Sequence, residues 1–449
     1  MKMIKYYSTN KKSELVSFKE ALLSGQAPDN GLYMPNYIPQ LTLPQIASMK
    51  DLSYWEVAFM VTKEFLRDEI SENELMRITK EAYNFEIPLE NVFGKVYLMR
   101  LDQGPTASFK DFAARMLAYL MQYYLEKERR KLIILVATSG DTGGAIANAF
   151  YSLENLKVVV LFPLKEVTLR QRRQMTTLGE NIIALAVEGK FDDCQVLVKQ
   201  AFTDQELNCL DLSSANSINF GRLLPQAVYY FYAYSKLASG NEEVIFSVPS
   251  GNFGNLMGGL IAKKMGLPVY KFIAAVNEND EFPRFLETGA YQPIRPSRNC
   301  ISSAMNVGHP SNLARLIDLY GGQMDEKGEI QKMPDMDSIK KDIFSVSISN
   351  SETKEMIKNV YQKYGVILEP HGAVGFTGLE RFLFQTRTSL PAISLETAHP
   401  AKFPEELKKI LDIEPELPES LKGLETKKEK FENISSNYQD FKQFLQDKL

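Results

Sequence analysis

From residue 96 onward the apolar positions alternate between two rhythms. Residues 96–101 and 132–137 (LIILVA) are short apolar runs, the pattern of strands. Between them Phe112, Met116, Leu120 and Tyr124 recur every fourth position, with Ala113, Leu117 and Met121 beside them. That spacing predicts a helix, closed by the charged stretch 127–131. The alternation continues, with strands expected at 157–162, 181–187, 208–212, 244–248 and 270–276. Helices are expected at 169–178, 192–202 and 222–237, and after the SGNFGN turn. Strands separated by helix-length segments imply βαβ units, hence parallel sheets with helices on both faces. Ligands in such sheets bind where loops leave the carboxyl ends of strands. Two glycine-rich turns, 137–145 and 249–255, occupy such places.

The first 95 residues read differently. A turn-rich stretch at 27–37, with Asp29-Asn30-Gly31 as its turn signal, precedes helical patterns at 55–66 and 72–85. This predicts a separate, mostly helical N-terminal unit. The tail beyond Pro404 is charged and reads as solvated amphipathic helices.

Charge and cysteine content narrow the function classes. The 449 residues carry 52 Lys plus Arg against 56 Asp plus Glu, a net of −4. That balance leaves no broad basic face, so nucleic acid is not an expected partner. The longest apolar runs are strand-sized, so no membrane span is expected. Cys194, Cys209 and Cys300 are too far apart for a zinc site or a disulfide scaffold and suit a reducing compartment. No apolar stretch of signal-peptide length follows the basic N-terminus, and a cytoplasmic protein is expected. With His309, His371 and His399 the only histidines, a transition-metal site is not expected either.

Three segments carry candidate chemistry. In GPTASFKDF (104–112), Thr106 and Ser108 are candidate caps, and Lys110 falls in the first helical turn, where the helix dipole disfavours a cation. Lys110 is either an ordinary surface lysine or an amine of lowered pKa able to form a Schiff base. ATSGDTGGA (137–145) follows a strand and opens a helix. It is neither a Walker loop nor G-x-G-x-x-G, so it is either a tight turn or an anion site at a helix N-terminus. PSGNFGN (249–255) repeats that arrangement, its Ser250, Asn252 and Asn255 forming a polar cup for a phosphate without a cation. Asn216, Ser217 and Arg222 stand at a helix entry where Arg222 can fork onto a phosphate, and Thr397, His399 and Lys402 cluster near Pro400.

Taken in order, GPTASFKDF, ATSGDTGGAIANAF, the segment 174–195, SINFGRLLPQ, VPSGNFGN and TAHPAKFPE resemble the threonine synthase family of fold-type II pyridoxal-phosphate enzymes. The segments 279–289 and 301–312 resemble it too, and GLYMPNYIP (31–39) resembles the longer type with an extra N-terminal domain.

The resemblance implies an α/β fold of two doubly wound parallel-sheet domains, like the tryptophan synthase β chain, plus the helical N-terminal domain. The expected division is 1–95 for the N-terminal domain, 96–118 with 226–449 for the large cofactor domain, and 119–225 for a smaller inserted domain. The active site then lies in the cleft between the last two, with the helices after Pro404 packed on the large domain.

The implied activity is that of a carbon–oxygen lyase acting on phosphates. It turns O-phospho-L-homoserine and water into L-threonine and phosphate with pyridoxal 5′-phosphate as cofactor. The implied roles are as follows. Lys110 bonds the cofactor and shuttles protons, Gly251, Asn252, Phe253, Gly254 and Asn255 cradle its phosphate, Asp141 faces its 3′ oxygen, and Thr397 meets its ring nitrogen. Thr138, Ser139 and Thr142 hold the substrate carboxylate, Asn216, Ser217 and Arg222 its phosphate, and Ser108 and Phe109 line the pocket. A monomer is expected. Gln103, where many relatives have His, and Asp141, where shorter relatives carry a neutral amide, depart from the pattern. The alternatives are a phospho-lyase or serine/threonine dehydratase releasing 2-oxobutyrate, and a nucleotide-binding regulatory protein using the two turns.

Overall fold

A computed structural model describes residues 3–138, 140–238 and 240–449. The strands predicted as buried runs assemble into two sheets. One has six strands in the order Ile343–Ser347, Val269–Val276, Val244–Pro249, Ala392–Glu396, Val96–Arg100 and Leu89–Phe93. All its pairings are parallel except the last. The other has five parallel strands in the order Glu432–Ser435, Ile182–Glu188, Leu156–Pro163, Leu132–Ala137 and Leu212–Ser214. Its central strand, Leu156–Pro163, is buried at every residue but Lys157, as a strand covered on both faces must be. The helix Lys110–Glu128 leads from the larger sheet to the smaller one without a break, crossing the expected division at 118/119.

The N-terminal unit contains the helices Phe18–Ser24, Leu43–Ala47, Tyr54–Leu66 and Glu72–Ala82, and a short antiparallel pair, Tyr6–Ser8 with Tyr33–Pro35. Ser17 with Glu20 and Thr42 with Gln45 close capping boxes, which fix where the first two helices begin. This unit packs against the start of the helix Lys110–Glu128. Tyr54 meets Phe112 edge-on with ring centroids 5.3 Å apart, and the Tyr83 hydroxyl donates to the Phe112 carbonyl at 3.0 Å. It therefore buttresses the turn that carries Lys110.

Four expectations need correction. Residues 89–93, placed by the sequence in the N-terminal unit with no strand expected, form Leu89–Phe93, the antiparallel edge of the six-stranded sheet, joined to its neighbour by a turn at Gly94 (φ 51°). Adjacent polar Glu90 and Asn91 hide its alternation. The strand expected at 208–212 lies at Leu212–Ser214, after a turn of 3₁₀ helix at Gln205–Leu207. The helix expected at 222–237 is two, Phe220–Leu223 and Pro225–Leu237, because Pro225 brings no N–H to continue the first.

The tail differs most. Its helix Pro404–Leu411 does join the large sheet's side, with Leu407 clustered among Met356 and Ile357. Beyond it the chain crosses to the smaller sheet. Glu432–Ser435 pairs with Ile182–Glu188, and Ile434, Phe441 and Leu445 enter the same cluster as Leu185 and Val187. Only one residue of that strand is buried, so no alternation marked it.

Candidate active site

The loop 104–109 sets the place of Lys110. Gly104 lies so close to Asp111 that a Cβ there would stand 2.4 Å from Asp111 Oδ2. Asp111 accepts the Thr106 hydroxyl at 2.6 Å and the Thr106 N–H at 2.8 Å, which winds the loop onto the helix start. Neither Thr106 nor Ser108 caps that helix, which begins after Phe109 with no side-chain cap.

A second loop is stitched alongside. Phe109 N–H donates to the Thr397 carbonyl at 2.9 Å and His399 N–H to the Ala107 carbonyl at 3.0 Å, with a bridge between Ser108 and Ala398. Segments nearly 300 positions apart, 106–110 and 397–402, thus form one wall.

Lys110 Nζ stands 3.8 Å from Asp141 Oδ2 and 4.8 Å from the Phe109 ring centroid. Burial draws its amine below the ordinary lysine range. Asp141 opposes that, while the charges of Lys402 and Arg222 add to it. Asp141 opens the helix Asp141–Phe150, and its Oδ1 accepts Lys402 Nζ at 2.7 Å and Gln171 Nε2 at 3.2 Å. Burial alone would raise this carboxyl. The two ammoniums, with the Lys402 and Gln171 hydrogen bonds, overcome burial and hold it well below the usual carboxylate range.

The two glycine-rich turns differ in what they leave free. At 138–143 the Thr138 hydroxyl oxygen accepts the N–H groups of Gly140 and Gly143, at 3.0 and 2.8 Å. Thr142 is half-buried beside them, and Ser139 lies outside the described residues. At 251–255, Phe253 takes a left-handed conformation (φ 60°) and the helix Gly254–Lys264 starts with no side-chain cap. Its first-turn N–H groups, unlike those at Gly140 and Gly143, have no side-chain oxygen as cap. Asn255 behind it is locked by the Tyr229 and Tyr230 hydroxyls on its Oδ1 (2.6 and 2.7 Å), while its Nδ2 is buried without a partner.

The segment 216–222 joins this second turn through Asn312. Its side-chain amide donates to the Ser217 carbonyl at 3.2 Å and the Asn252 carbonyl at 3.0 Å, and Ser311 Oγ lies 3.2 Å from Ser217 Oγ. Arg222 is buried with one Nη on the Ala215 carbonyl (2.8 Å) and Nε unpartnered. Burial lowers its pKa to about 10, with Asp111 opposing, so the guanidinium stays charged at neutral pH. Asn216 Oδ1 is likewise buried and unpartnered. Lys110, Asp141, Thr397, the 251–255 turn and the 216–222 segment are thus held in one linked region.

Sequence reasoning passed over several members of this region. Lys402 was noted only for its place near Pro400, yet it is buried and paired with Asp141. Behind Thr397 lie two carboxylates, Glu369 and Glu396, both fully buried. Glu369 caps the helix Pro370–Thr386, accepting the N–H groups of His371 and Gly372, at 2.7 and 2.9 Å, the His371 ring at Nδ1, and the Thr397 hydroxyl at 3.2 Å. His371 Nε2 accepts the Ala304 N–H at 3.0 Å, so its proton sits on Nδ1 and points at Glu369. Four donors converge on Glu369. Glu396 Oε1 accepts the Glu369 N–H at 2.8 Å, but its Oε2 has no partner. Burial, then the charge of Glu369, push Glu396 well above the ordinary range, so it carries a proton. A Glu-Pro pair at a helix start is a cap-and-first-turn signature that could have marked Glu369.

Comparison with known proteins follows this geometry. A family model described as "Pyridoxal-phosphate dependent enzyme" matches residues 85–390, "Threonine synthase N terminus" matches 5–83, and "Threonine synthase, C-terminal" matches 372–445. The chain is similar to the threonine synthase of Haemophilus influenzae, at 40% identity over 92% of this chain and 93% of that protein. It is also similar to that of Buchnera aphidicola subsp. Baizongia pistaciae, at 37% over 99% of this chain and 100% of the other. A crystal structure of threonine synthase from Brucella melitensis with pyridoxal phosphate bound superposes with a TM-score of 0.93 at 37% identity, covering 99% of both chains.

Proposed function

The chain belongs to the threonine synthase family of pyridoxal-phosphate enzymes, and on that premise we propose that it converts O-phospho-L-homoserine and water into L-threonine and phosphate. The observation that carries the catalytic assignment is the buried Lys110 amine, drawn below its ordinary range 3.8 Å from Asp141. A lowered amine pKa favours the free base that a nucleophile and proton shuttle need.

The residues fit the cofactor. An uncapped helix N-terminus after Phe253 and the unpartnered Asn255 Nδ2 supply donors for its phosphate, and the Thr397 hydroxyl oxygen, whose proton goes to Glu369, would meet its ring nitrogen. When bound, pyridoxal phosphate supplies the electron sink that lets the bonds at the α and β carbons be broken. The chain supplies the rest. Lys110 Nζ would be the group that holds the cofactor, and as a free amine it would take the proton from the substrate's α carbon. The unpartnered Arg222 Nε, with the side-chain NH2 of Asn216 and the Ser217 hydroxyl as further donors, would hold the substrate phosphate until it departs. Thr138 and Thr142 would hold the substrate carboxylate, with Ser108 and Phe109 lining the pocket. Asp141, its charge matched by Lys402, would face the cofactor's 3′ oxygen.

Free Cys194, Cys209 and Cys300 support a reducing, cytoplasmic setting.

The purified protein is expected to absorb visible light from bound cofactor and to release threonine and phosphate from O-phosphohomoserine. Lys110→Ala is expected to lose both properties while remaining folded. A variant that keeps both refutes the assignment. 2-Oxobutyrate in place of threonine assigns the site to elimination without hydration.

A further inference from the structure

Asp141 lies between the side-chain nitrogens of two lysines. Its Oδ1 is 2.7 Å from Lys402 Nζ and its Oδ2 3.8 Å from Lys110 Nζ. The Lys402 side chain is 1% exposed, the Asp141 side chain 4% and the Lys110 side chain 14%. Lys402 is not placed there for want of another partner, since its Nζ also donates to the Thr106 carbonyl at 3.0 Å. That carbonyl receives Gln174 Nε2 as well, so the loop before Lys110 is tied to the same cation.

Counting charges shows what the arrangement does. One buried carboxylate can balance one buried cation, and a second cation is left in excess in a low-dielectric site. Lys402, at the shorter distance, is the cation that Asp141 balances. Lys110 therefore sees a carboxylate whose charge is already met, and loses its proton at less cost than it would beside a lone aspartate. The other charged groups around Lys110 are Arg222, which also favours the free amine, and Glu369, which opposes it. Asp111, next along the same helix, pairs through Thr106 instead.

We propose that Lys402 is a positioning residue for the reaction, holding the charge of Asp141 so that the Lys110 amine stays in its free, nucleophilic form. The proposal rests on the reading of Lys110 as the reactive amine. It also explains why this chain tolerates an aspartate at 141. The acid is paired within the protein, so the pair presents no net charge to the neighbouring amine.

The test uses the full-length chain freed of cofactor, with added pyridoxal 5′-phosphate as probe. The rate at which Lys110 captures the probe's aldehyde, with loss of water, is followed by visible absorbance across pH. For Lys402→Met the capture profile is expected to move to higher pH, with the rate at pH 7 falling about tenfold or more, the effect of removing one close counter-charge. Asp141→Asn alone is expected to move the profile to lower pH, and the double variant to return close to the native profile. A lysine serving only to hold the fold does not produce a restoration by Asp141→Asn. An unchanged profile in Lys402→Met, or a double variant no closer to native than the single, overturns the proposal. If Lys402→Met does not fold, Asp141→Asn decides, and a profile unmoved or moved upward overturns it. Failure of the underlying reading looks different, because the native chain then captures no probe or Lys110→Ala captures it equally well.

Discussion

Replacing Glu396 by Gln isolates the energetics of the buried acid pair. Glu396 is fully buried, its Oε2 touches no donor, and Glu369 beside it is occupied by four. The pair therefore holds one proton at neutral pH, on Glu396. In the unfolded chain that carboxyl titrates near about 4.3. A carboxyl whose folded pKa is raised has its full stability below the unfolded value. It loses stability as pH rises, since the unfolded chain releases a proton that the folded chain keeps. The loss is about 1.4 kcal/mol for each pH unit over which only the unfolded form is ionised. Glutamine cannot ionise, so Glu396→Gln removes that slope and adds a fixed cost for its unpaired amide. The stability of the variant relative to native is thus expected to improve steadily as pH is raised above 5, by up to about 1.4 kcal/mol per unit. Urea unfolding of both proteins at a series of pH values measures it, using the transition that reports the six-stranded sheet. A difference that stays flat with pH refutes the protonated Glu396, and with it the assignment of charge within the pair.

Other expectations concern separate parts of the molecule. Arg222→Met removes a buried guanidinium with a free Nε, and inorganic phosphate is expected to bind about tenfold or more weakly, measured by calorimetric titration. Equal binding removes Arg222 from the phosphate site. Gly372→Ala places a methyl 1.6 Å from Glu396 Oε2 at the start of a long helix, and a loss of about 1–3 kcal/mol in thermal unfolding is expected. Phe441→Ala empties a fully buried site in the tail and is expected to cost about 3–5 kcal/mol and to open the tail to protease. A tail free in solvent gives no change in either measurement.

The alternation of apolar runs made both parallel sheets legible, because strands such as Leu156–Pro163 are buried on both faces and read as continuous apolar text. The segments that escaped are those whose partners supply the burial. Glu432–Ser435 contributes one buried residue, and Leu89–Phe93 none that is fully buried. Within the site, Lys110, the two glycine-rich turns and Arg222 were legible because each sits at a helix start with unusual chemistry for its place. Lys402, Glu369 and Glu396 were not, since each is defined by what it touches. A lysine in a short 3₁₀ turn has no signature until Asp141, some 260 positions earlier, is folded against it.

The strand Glu432–Ser435 also sets an order of events during synthesis. It is the outer strand of a sheet whose neighbour, Ile182–Glu188, leaves the ribosome some 250 residues earlier. Until it arrives, that neighbour presents an unpaired row of backbone donors and acceptors, the sort of edge that recruits other chains. The late strand is therefore a seal, and a chain cut short before it keeps every catalytic side chain yet carries an adhesive flank. Damage near the tail is then felt as aggregation rather than as a failed reaction.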